Sequence, residues 1–403
     1  MTSPLRRAGI LTLLLFAMGS APAFPGPGDV KAQSLLGTGG LGVPVEAVGA
    51  QGRGMGSVGA GLFGWHLSPH DPGAAHGLRI PSVVASMQPT TVTVDANGEP
   101  VEGGGTRFPL LGITFPFDRG VLTVTFAGAF DQDWEARHEH LVDLGPEAVD
   151  VEDVFRSQGG LSTLRVGWSR TVAEDFGVGV GVGTYLGSIE RSFTRNFDTE
   201  QVGEDVEPFR AQGRWDARGP TAAVGLTWQP SSSFRVGGSA VWSGDLELRP
   251  TDASVEAGVE ERGKYTLPTE FRVGGSASLT PVIALNLGVS YADWSEIGNE
   301  LRDGGSRGPA WSYGGGLEWR GVQLLGRPLP IRAGHRRTEL PFLYQGEPAD
   351  EAVTTGGFSL ALAEAEEVPL ARVDVAVERG SREAGDFSER LWRTTVTLRL
   401  AGG

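Results

Sequence analysis

The sequence has no cysteine, no strict glycine period and no surplus of positive charge, and each absence excludes a class of protein. With 0 Cys in 403 residues, neither a disulfide scaffold nor a thiolate metal site can form. A formal net charge of −15 opposes a nucleic-acid-binding protein, which needs a clustered basic surface. The 62 glycines do not recur at every third position, which excludes collagen. The 39% of hydrophobic residues recur in ordered patterns, which argues against a disordered chain.

Long hydrophobic runs are also missing, apart from a short one near the N-terminus. Arg6 and Arg7 precede an apolar stretch over residues 10–18, and small residues and proline follow. This order predicts a secretory signal peptide over residues 1–32, with cleavage after Ala23 or, preferably, after Ala32. The stretch is shorter than the ~20 apolar residues of a transmembrane helix. The exported chain is therefore expected to be soluble or a closed β-barrel.

From residue 80 onward, the sequence is organised in segments that alternate with a period of two. Between residues 176 and 183, Phe or Val occupies every even position and Gly every odd one. Side chains of a β-strand alternate between its two faces, so one face of such a segment is apolar and the other is polar or bare. A soluble β-sandwich produces the same alternation, so the period alone does not decide the class.

Three further features favour a membrane barrel. Many segments reach the ~9–11 residues that cross a bilayer at a tilt. Tryptophans lie near segment ends, as the aromatic girdles of outer-membrane barrels require. The connections alternate between short turns, such as residues 118–120 and 173–175, and long polar loops, such as 131–160 and 196–212. The tryptophans are Trp168, Trp228, Trp242, Trp311, Trp319 and Trp392.

The predicted fold class is all-β, a transmembrane antiparallel β-barrel of about 14 strands over residues 80–403. Closure is required because an unpaired sheet edge finds no water in hydrocarbon. The inward glycines between Gly177 and Gly183 either enlarge the lumen or mark a bend at a bulge. The predicted strands cover residues 80–95, 106–117, 121–131, 161–172, 176–197, 213–229, 234–250, 261–279, 282–297, 307–321, 329–342, 351–363, 370–383 and 387–400.

Residues 33–79 fit no strand pattern and are rich in glycine. A phosphate-binding loop is a weak interpretation, because no Gly-Lys-Ser/Thr follows the glycines and no strand–loop–helix unit surrounds them. A compact plug that turns often in little room suits such a composition. We therefore expect this segment to fold into the barrel lumen.

Short motifs in this segment resemble the FadL-type long-chain fatty-acid transporters of the outer membrane. That family has a Gly-Met-Gly-like stretch followed by Asn-Pro-Ala, within an N-terminal hatch that plugs a fourteen-stranded barrel. Residues 291–295 and 329–334 are similar to two later stretches of the family. Asp71 replaces the usual Asn, Gly73 stands where Ala is expected, and the last residues are not aromatic. The matching plug positions are Gly54, Met55, Gly56, Asp71, Pro72, Gly73 and Ala74.

Four arginines on the predicted inward faces are the candidate ligand-binding residues. A fatty-acid carboxylate that enters a low-polarity lumen needs a cation, and arginine can bind it with paired hydrogen bonds. Alternatively, each arginine pairs with a lumenal acid, namely Glu318, Asp374 or Glu378, and holds the wall together. The four are Arg165, Arg235, Arg272 and Arg332.

No catalytic residue, metal or cofactor is predicted. His66, His70 and His76 with Asp71 could ligate a transition metal, but their spacing matches no strong zinc signature. The stretch over residues 138–140 belongs to an acidic loop that is expected to be a solvated outer surface, since it lacks an ordered calcium-ligand repeat. No Gly-x-Ser-x-Gly hydrolase motif occurs in the sequence.

The resemblance and the residue pattern together predict an outer-membrane channel for passive uptake of hydrophobic small molecules, such as long-chain fatty acids or aromatic hydrocarbons. The expected partners are the hydrophobic ligand, outer-membrane lipid and the barrel-assembly machinery, and no nucleic acid. A non-transporting barrel that serves as a secretion or assembly partner is the alternative, and a barrel enzyme such as a lipase is a third. An apolar pocket that touches the plug would favour transport, whereas a filled lumen would favour a partner role.

Overall fold

The structure is a computed structural model of the chain. It describes residues 34–64, 66–96, 99–143, 148–198, 207–253, 263–298, 300–301, 305–324, 326–365 and 368–402. The predicted signal peptide, with Arg6, Arg7 and both candidate cleavage points, lies outside the described residues.

Fourteen antiparallel strands form a closed barrel. Each strand pairs with its neighbours in the sequence, and the last pairs with the first in a register that joins Val83 to Leu400 and Thr91 to Trp392. The all-β class and the 14-strand closure predicted from the alternation are confirmed. The strands are β1 (Ser82–Ala96), β2 (Glu99–Phe117), β3 (Gly120–Asp131), β4 (Ala148–Ala173), β5 (Phe176–Phe197), β6 (Phe209–Ser231), β7 (Phe234–Ser243), β8 (Glu270–Ser278), β9 (Ile283–Asp293), β10 (Pro309–Trp319), β11 (Ile331–Tyr344), β12 (Glu347–Ala365), β13 (Val368–Ala384) and β14 (Phe387–Ala401).

The outward faces carry the apolar half of the alternation. Val180 and Val182 are 51% and 68% exposed, and Ile113 and Phe115 are 55% and 57% exposed. The inward neighbours of these residues are glycines or buried polar groups, as in the row of Thr123 and Thr125 on β3. An apolar exterior with a polar interior is the arrangement of a membrane barrel and the reverse of a soluble one.

The two ends of the barrel differ in their connections. We call the end that holds both strand termini, Ser82 and Ala401, the inner end; the turns at 118–119, 174–175 and 232–233 lie there. The opposite, outer end carries longer excursions between β3 and β4, β5 and β6, β7 and β8, and β9 and β10.

The predicted alternation of short and long connections is wrong at several points. At the outer end, β11 joins β12 and β13 joins β14 through two residues each, 345–346 and 385–386. At the inner end, the connection over residues 320–330 contains the short strands Gln323–Leu324 and Arg327–Pro328. Two short hairpins therefore form the outer end of the barrel on the side of β11 to β14.

The predicted loop over residues 131–160 is largely strand. Trp134–Asp143 pairs with the first part of β4, where Arg137 faces Val154 and Glu139 faces Glu152. Asp245–Ala253 continues the predicted strand over residues 234–250 after a break at Gly244, and it pairs with β6, as β7 does, and with Gly263–Thr266. The strand Trp134–Asp143 lacks the apolar face on which the strand prediction relied, so the sequence pattern did not reveal it.

Helices are few and short. The described helical turns are Leu35–Thr38, Ala50–Arg53, Pro72–Ala75 and Ser295–Gly298. Among the described residues, no helix has both the length and the apolar character needed to cross a membrane.

Candidate functional site

Residues 34–80, here called the inner segment, lie against the inward faces of the strands. The segment begins near the outer end, where Val43 and Pro44 pair with Asp131 and Phe130 of β3. It ends near the inner end, where Leu78 packs on Val121. Most of its described residues are buried although few of them form regular structure.

A row of inward glycines receives the backbone of the inner segment. A methyl group added to Gly179 would overlap Pro72 and Gly73, and one added to Gly316 or Gly334 would overlap Met55. Gly274 and Gly288 face Ala60 and Val58 in the same way. The expectation that inward glycines at residues 177–183 enlarge an open lumen is therefore wrong for Gly177 and Gly179. His76 occupies the space at Gly177, and Pro72 and Gly73 occupy the space at Gly179.

The predicted plug motifs lie at these contacts. Gly54, Met55 and Gly56 follow the helical turn Ala50–Arg53, and Gly56 has φ +62°, which favours glycine. Thr355 Oγ1 on β12 donates to the Gly54 carbonyl at 3.1 Å.

The second motif packs on β5 and β6. Asp71 precedes the 3₁₀ turn Pro72–Ala75, and its carboxylate lies directly against Gly225. Burial raises the pKa of Asp71 to about 7, and the positive charge of Arg235 only partly offsets this effect. Ala74 accepts a hydrogen bond from Arg235 Nη2 at 3.2 Å.

A buried ionic cluster ties the other side of the inner segment to β11–β14. Arg53 Nη1 lies 2.8 Å from Glu378 Oε2, and both side chains are fully buried. Arg336 Nη2 also contacts Glu378, at 2.8 Å. Ser34 Oγ donates to Glu389 at 2.6 Å. Breaking a buried ion pair by removing one partner typically costs about 3–5 kcal/mol, so this cluster fixes the position of the segment.

Two of the four candidate arginines do not face open space. Arg332 Nε lies 2.7 Å from Glu318, and its Nη1 donates to Ser359 at 2.6 Å, with Asp374 at 3.8 Å. Arg235 donates to the carbonyls of Gly64 and Ala74 at 3.1 and 3.2 Å. Arg332 thus pairs with acids of the barrel wall, as the alternative interpretation states. Arg235 instead donates hydrogen bonds to backbone carbonyls of the inner segment.

Arg165 and Arg272 line a cavity instead. Arg272 contacts two carboxylates, Glu46 at 2.9 Å and Glu270 at 2.6 Å. Arg165 donates to the Pro69 carbonyl and, at 2.8 Å, to Thr221 Oγ1.

The cavity lies at the outer end between the inner segment and the wall. Its volume is about 120 Å³. Pro44, Val45, Glu46 and His70 contribute the side formed by the inner segment. The wall contributes a mostly apolar surface. Its apolar members include Phe130, Tyr185, Val241, Leu267, Ala292, Trp294 and Ala310.

Arg272 lies among other ionisable groups at the cavity. Burial would raise the pKa of Glu46, but Arg272 and neighbouring cations lower it to about 2, so Glu46 is ionised. Burial and the charge of Arg272 hold the pKa of His70 well below its usual range, so His70 is neutral. The site therefore combines apolar walls with an Arg272 that is paired with two carboxylates, whereas Arg165 is bound only by neutral groups.

The sequence did not single out most of the cavity residues. Glu46 belongs to a segment without clear periodicity. The pattern assigns Phe130, Tyr185 and Leu267 only to strands, and Trp294 to a strand and a family-like stretch. Their convergence depends on strand register and on the path of the inner segment, which a pattern of period two does not encode.

The histidines and Asp71 do not form a metal centre. No group of three or more His, Cys, Asp or Glu side chains among the described residues is arranged to hold a metal ion. Burial lowers the pKa of His66 to about 3, so its imidazole is neutral. His138 and His140 stack at 5.0 Å on the strand Trp134–Asp143, outside the lumen.

The fold matches several solved structures. The Ralstonia pickettii toluene transporter TbuX aligns with a TM-score of 0.58 at 14% identity, over 89% of this chain and 99% of that chain. The CymD monoaromatic hydrocarbon channel aligns with a TM-score of 0.56 at 16% identity, over 90% and 98%. A Pseudomonas aeruginosa FadL homologue aligns with a TM-score of 0.56 at 13% identity, over 89% and 99%. At these identities, the likeness establishes the shared barrel fold.

No family model matches the sequence, and no curated protein sequence matches it either.

Proposed function

We propose that the chain is an outer-membrane channel of the FadL type for passive uptake of small apolar molecules, with a plug formed by the inner segment. In this proposal, residues 1–32 are a signal peptide, residues 33–79 are the plug and residues 80–403 are the barrel. The barrel is inserted by the assembly machinery and is surrounded by outer-membrane lipid. The transporters and channels of the same fold support this assignment over an enzyme.

The observation that carries the proposal is the apolar cavity that touches the inner segment. An apolar cavity of about 150 Å³ suffices to bind benzene in a protein interior, and the cavity here offers about 120 Å³ beside Phe130, Leu267 and Trp294. This volume is of the same order as that of a benzene-binding cavity, though smaller, and the chain of a long fatty acid exceeds it. Arg272 is already paired with Glu46 and Glu270, so its charge is not left over for a cargo carboxylate.

Filling the cavity tests this assignment. Ala292 lines the cavity and is 6% exposed, so Ala292→Phe should reduce binding of labelled toluene to the purified protein by about tenfold or more, since the ring would occupy the ligand's place. Ala240→Phe on β7 is the matched control, because Ala240 lies on the outward face opposite Phe271 of β8. If both variants and the unaltered protein bound toluene equally, the ligand would not bind in this cavity.

A further inference from the structure

A polar groove lies on the outward face of the barrel, across β1, β12, β13 and β14. Arg379 and Arg390 lie in it, and both are exposed. The hydroxyl groups of Thr91, Thr354 and Ser381 surround them.

The strand register places the two arginines side by side. Arg379 pairs with Trp392 and Ser381 with Arg390 across β13 and β14, and such diagonal neighbours lie about 7–8 Å apart. Their sequence neighbours Glu378, Glu389 and Leu391 are buried on the inward side, so Arg379 and Arg390 point away from the lumen. Among the described residues, neither arginine has a hydrogen-bond or ion-pair partner.

Nearby acids do not neutralise this pair. Asp350 is already 2.9 Å from Arg337 and also contacts Arg307. Glu383 accepts a hydrogen bond from Ser381 at 3.1 Å. Glu102 lines the same groove but lies on β2, beyond β1, where it pairs with Thr93. Of the charged residues that line the groove, Arg379 and Arg390 are cationic and Glu102 is anionic, so the lining keeps a net positive charge.

The groove lies at the height of the outer aromatic belt. Trp242, Trp311 and Trp392 are 51%, 46% and 49% exposed near the outer end, and Arg390 is two residues farther out than Trp392. The neighbouring hairpins at 345–346 and 385–386 are short, so no long loop joins these strands above the groove. Toward the inner end the same face becomes apolar, with Met87 39% and Phe358 40% exposed.

We propose that this groove binds the phosphate-bearing head group of a lipid A-type glycolipid in the outer leaflet, with its acyl chains on the apolar face below. Guanidinium groups bind phosphate with paired, charge-assisted hydrogen bonds. On the lipid-facing surface, an unpaired arginine is costly near the bilayer midplane and is tolerated near the interface. A phosphorylated head group at that height supplies the missing anion. The groove is separate from the cavity, so it does not depend on the cargo.

The test compares binding of diphosphorylated lipid A and dephosphorylated lipid A to the full-length processed protein in detergent, by native mass spectrometry. The double variant R379Q/R390Q removes the proposed contacts. The control R119Q/R170Q removes two exposed arginines at the inner end and changes the net charge equally. Resistance of the folded barrel to unfolding in detergent verifies that each variant is intact.

The unaltered protein and R119Q/R170Q should bind the diphosphorylated lipid about tenfold tighter than the dephosphorylated one, and R379Q/R390Q should lose that preference. The single variants R379Q and R390Q should each lose part of it. A preference that survives in R379Q/R390Q, or that is absent from the unaltered protein, would overturn the proposal. Displacement of the lipid by an equal concentration of inorganic phosphate would show that the groove is a simple anion site, and this result would also overturn the proposal.

Discussion

At the scale of single residues, Gly225 and Asp71 show how closely the wall and the inner segment fit. A Cβ atom on Gly225 would collide with the Asp71 carboxylate and would lie 2.6 Å from the Gly73 nitrogen. The backbone of the inner segment can approach the wall this closely only because the wall presents no side chain at that position.

Gly225→Ala should therefore loosen the inner segment, at a cost of about 1–3 kcal/mol for an overpacked contact. The expected result is increased leakage of small polar solutes into liposomes that contain the protein. Gly238→Ala is the control, because a methyl group there would lie 3.7 Å or more from its neighbours. Indistinguishable leakage through the two variants would contradict the tight fit described here.

Asp71 should make this contact dependent on pH. Its pKa of about 7 in the buried state lies above that of an exposed carboxyl, about 3.9. The contact is therefore strongest below about pH 4 and weakens as the pH rises through about 7, where the buried carboxyl ionises.

Leakage through the unaltered protein should accordingly increase between about pH 5.5 and about pH 8. Asp71→Asn has the same shape but cannot ionise, so its leakage should vary much less over that range. If both proteins showed the same pH dependence, another group would control it.

At the scale of elements, the strands could be predicted from the sequence, whereas the path of the inner segment could not. The bounds predicted for β5 agree with the structure, and those for β3 and β14 agree within one residue, because each strand follows a short turn and contains a run of alternating apolar residues. The inner segment has no period, since its residues pack individually against Gly179, Gly274 and other inward glycines. Its location could be predicted from composition and family resemblance, but its contacts could not.

Removing the inner segment should open the lumen. Deletion of residues 37–75 takes away both the glycine contacts and the Arg53–Glu378 ion pair, so leakage of unrelated small solutes should rise strongly. The measurement is liposome swelling in several sugars, with circular dichroism to show that the β-barrel persists. Unchanged swelling by a folded deletion variant would mean that the segment does not plug the barrel.

At the scale of the whole molecule, a closed 14-strand wall with an apolar exterior surrounds a small cavity beside the inner segment. The cavity lies at the end with the longer excursions, which is the external end in outer-membrane barrels. A cargo that partitions poorly into water would bind there and then pass the inner segment without an energy source.

The decisive measurement for the proposed channel is uptake of labelled toluene by cells that produce the chain and by cells that lack it. Labelled oleate serves as the second cargo, and Ala292→Phe serves as the blocked channel. We predict faster toluene uptake by the producing cells, a smaller effect on oleate, and loss of the toluene effect in Ala292→Phe. Equal toluene uptake with and without the chain would contradict the proposed channel.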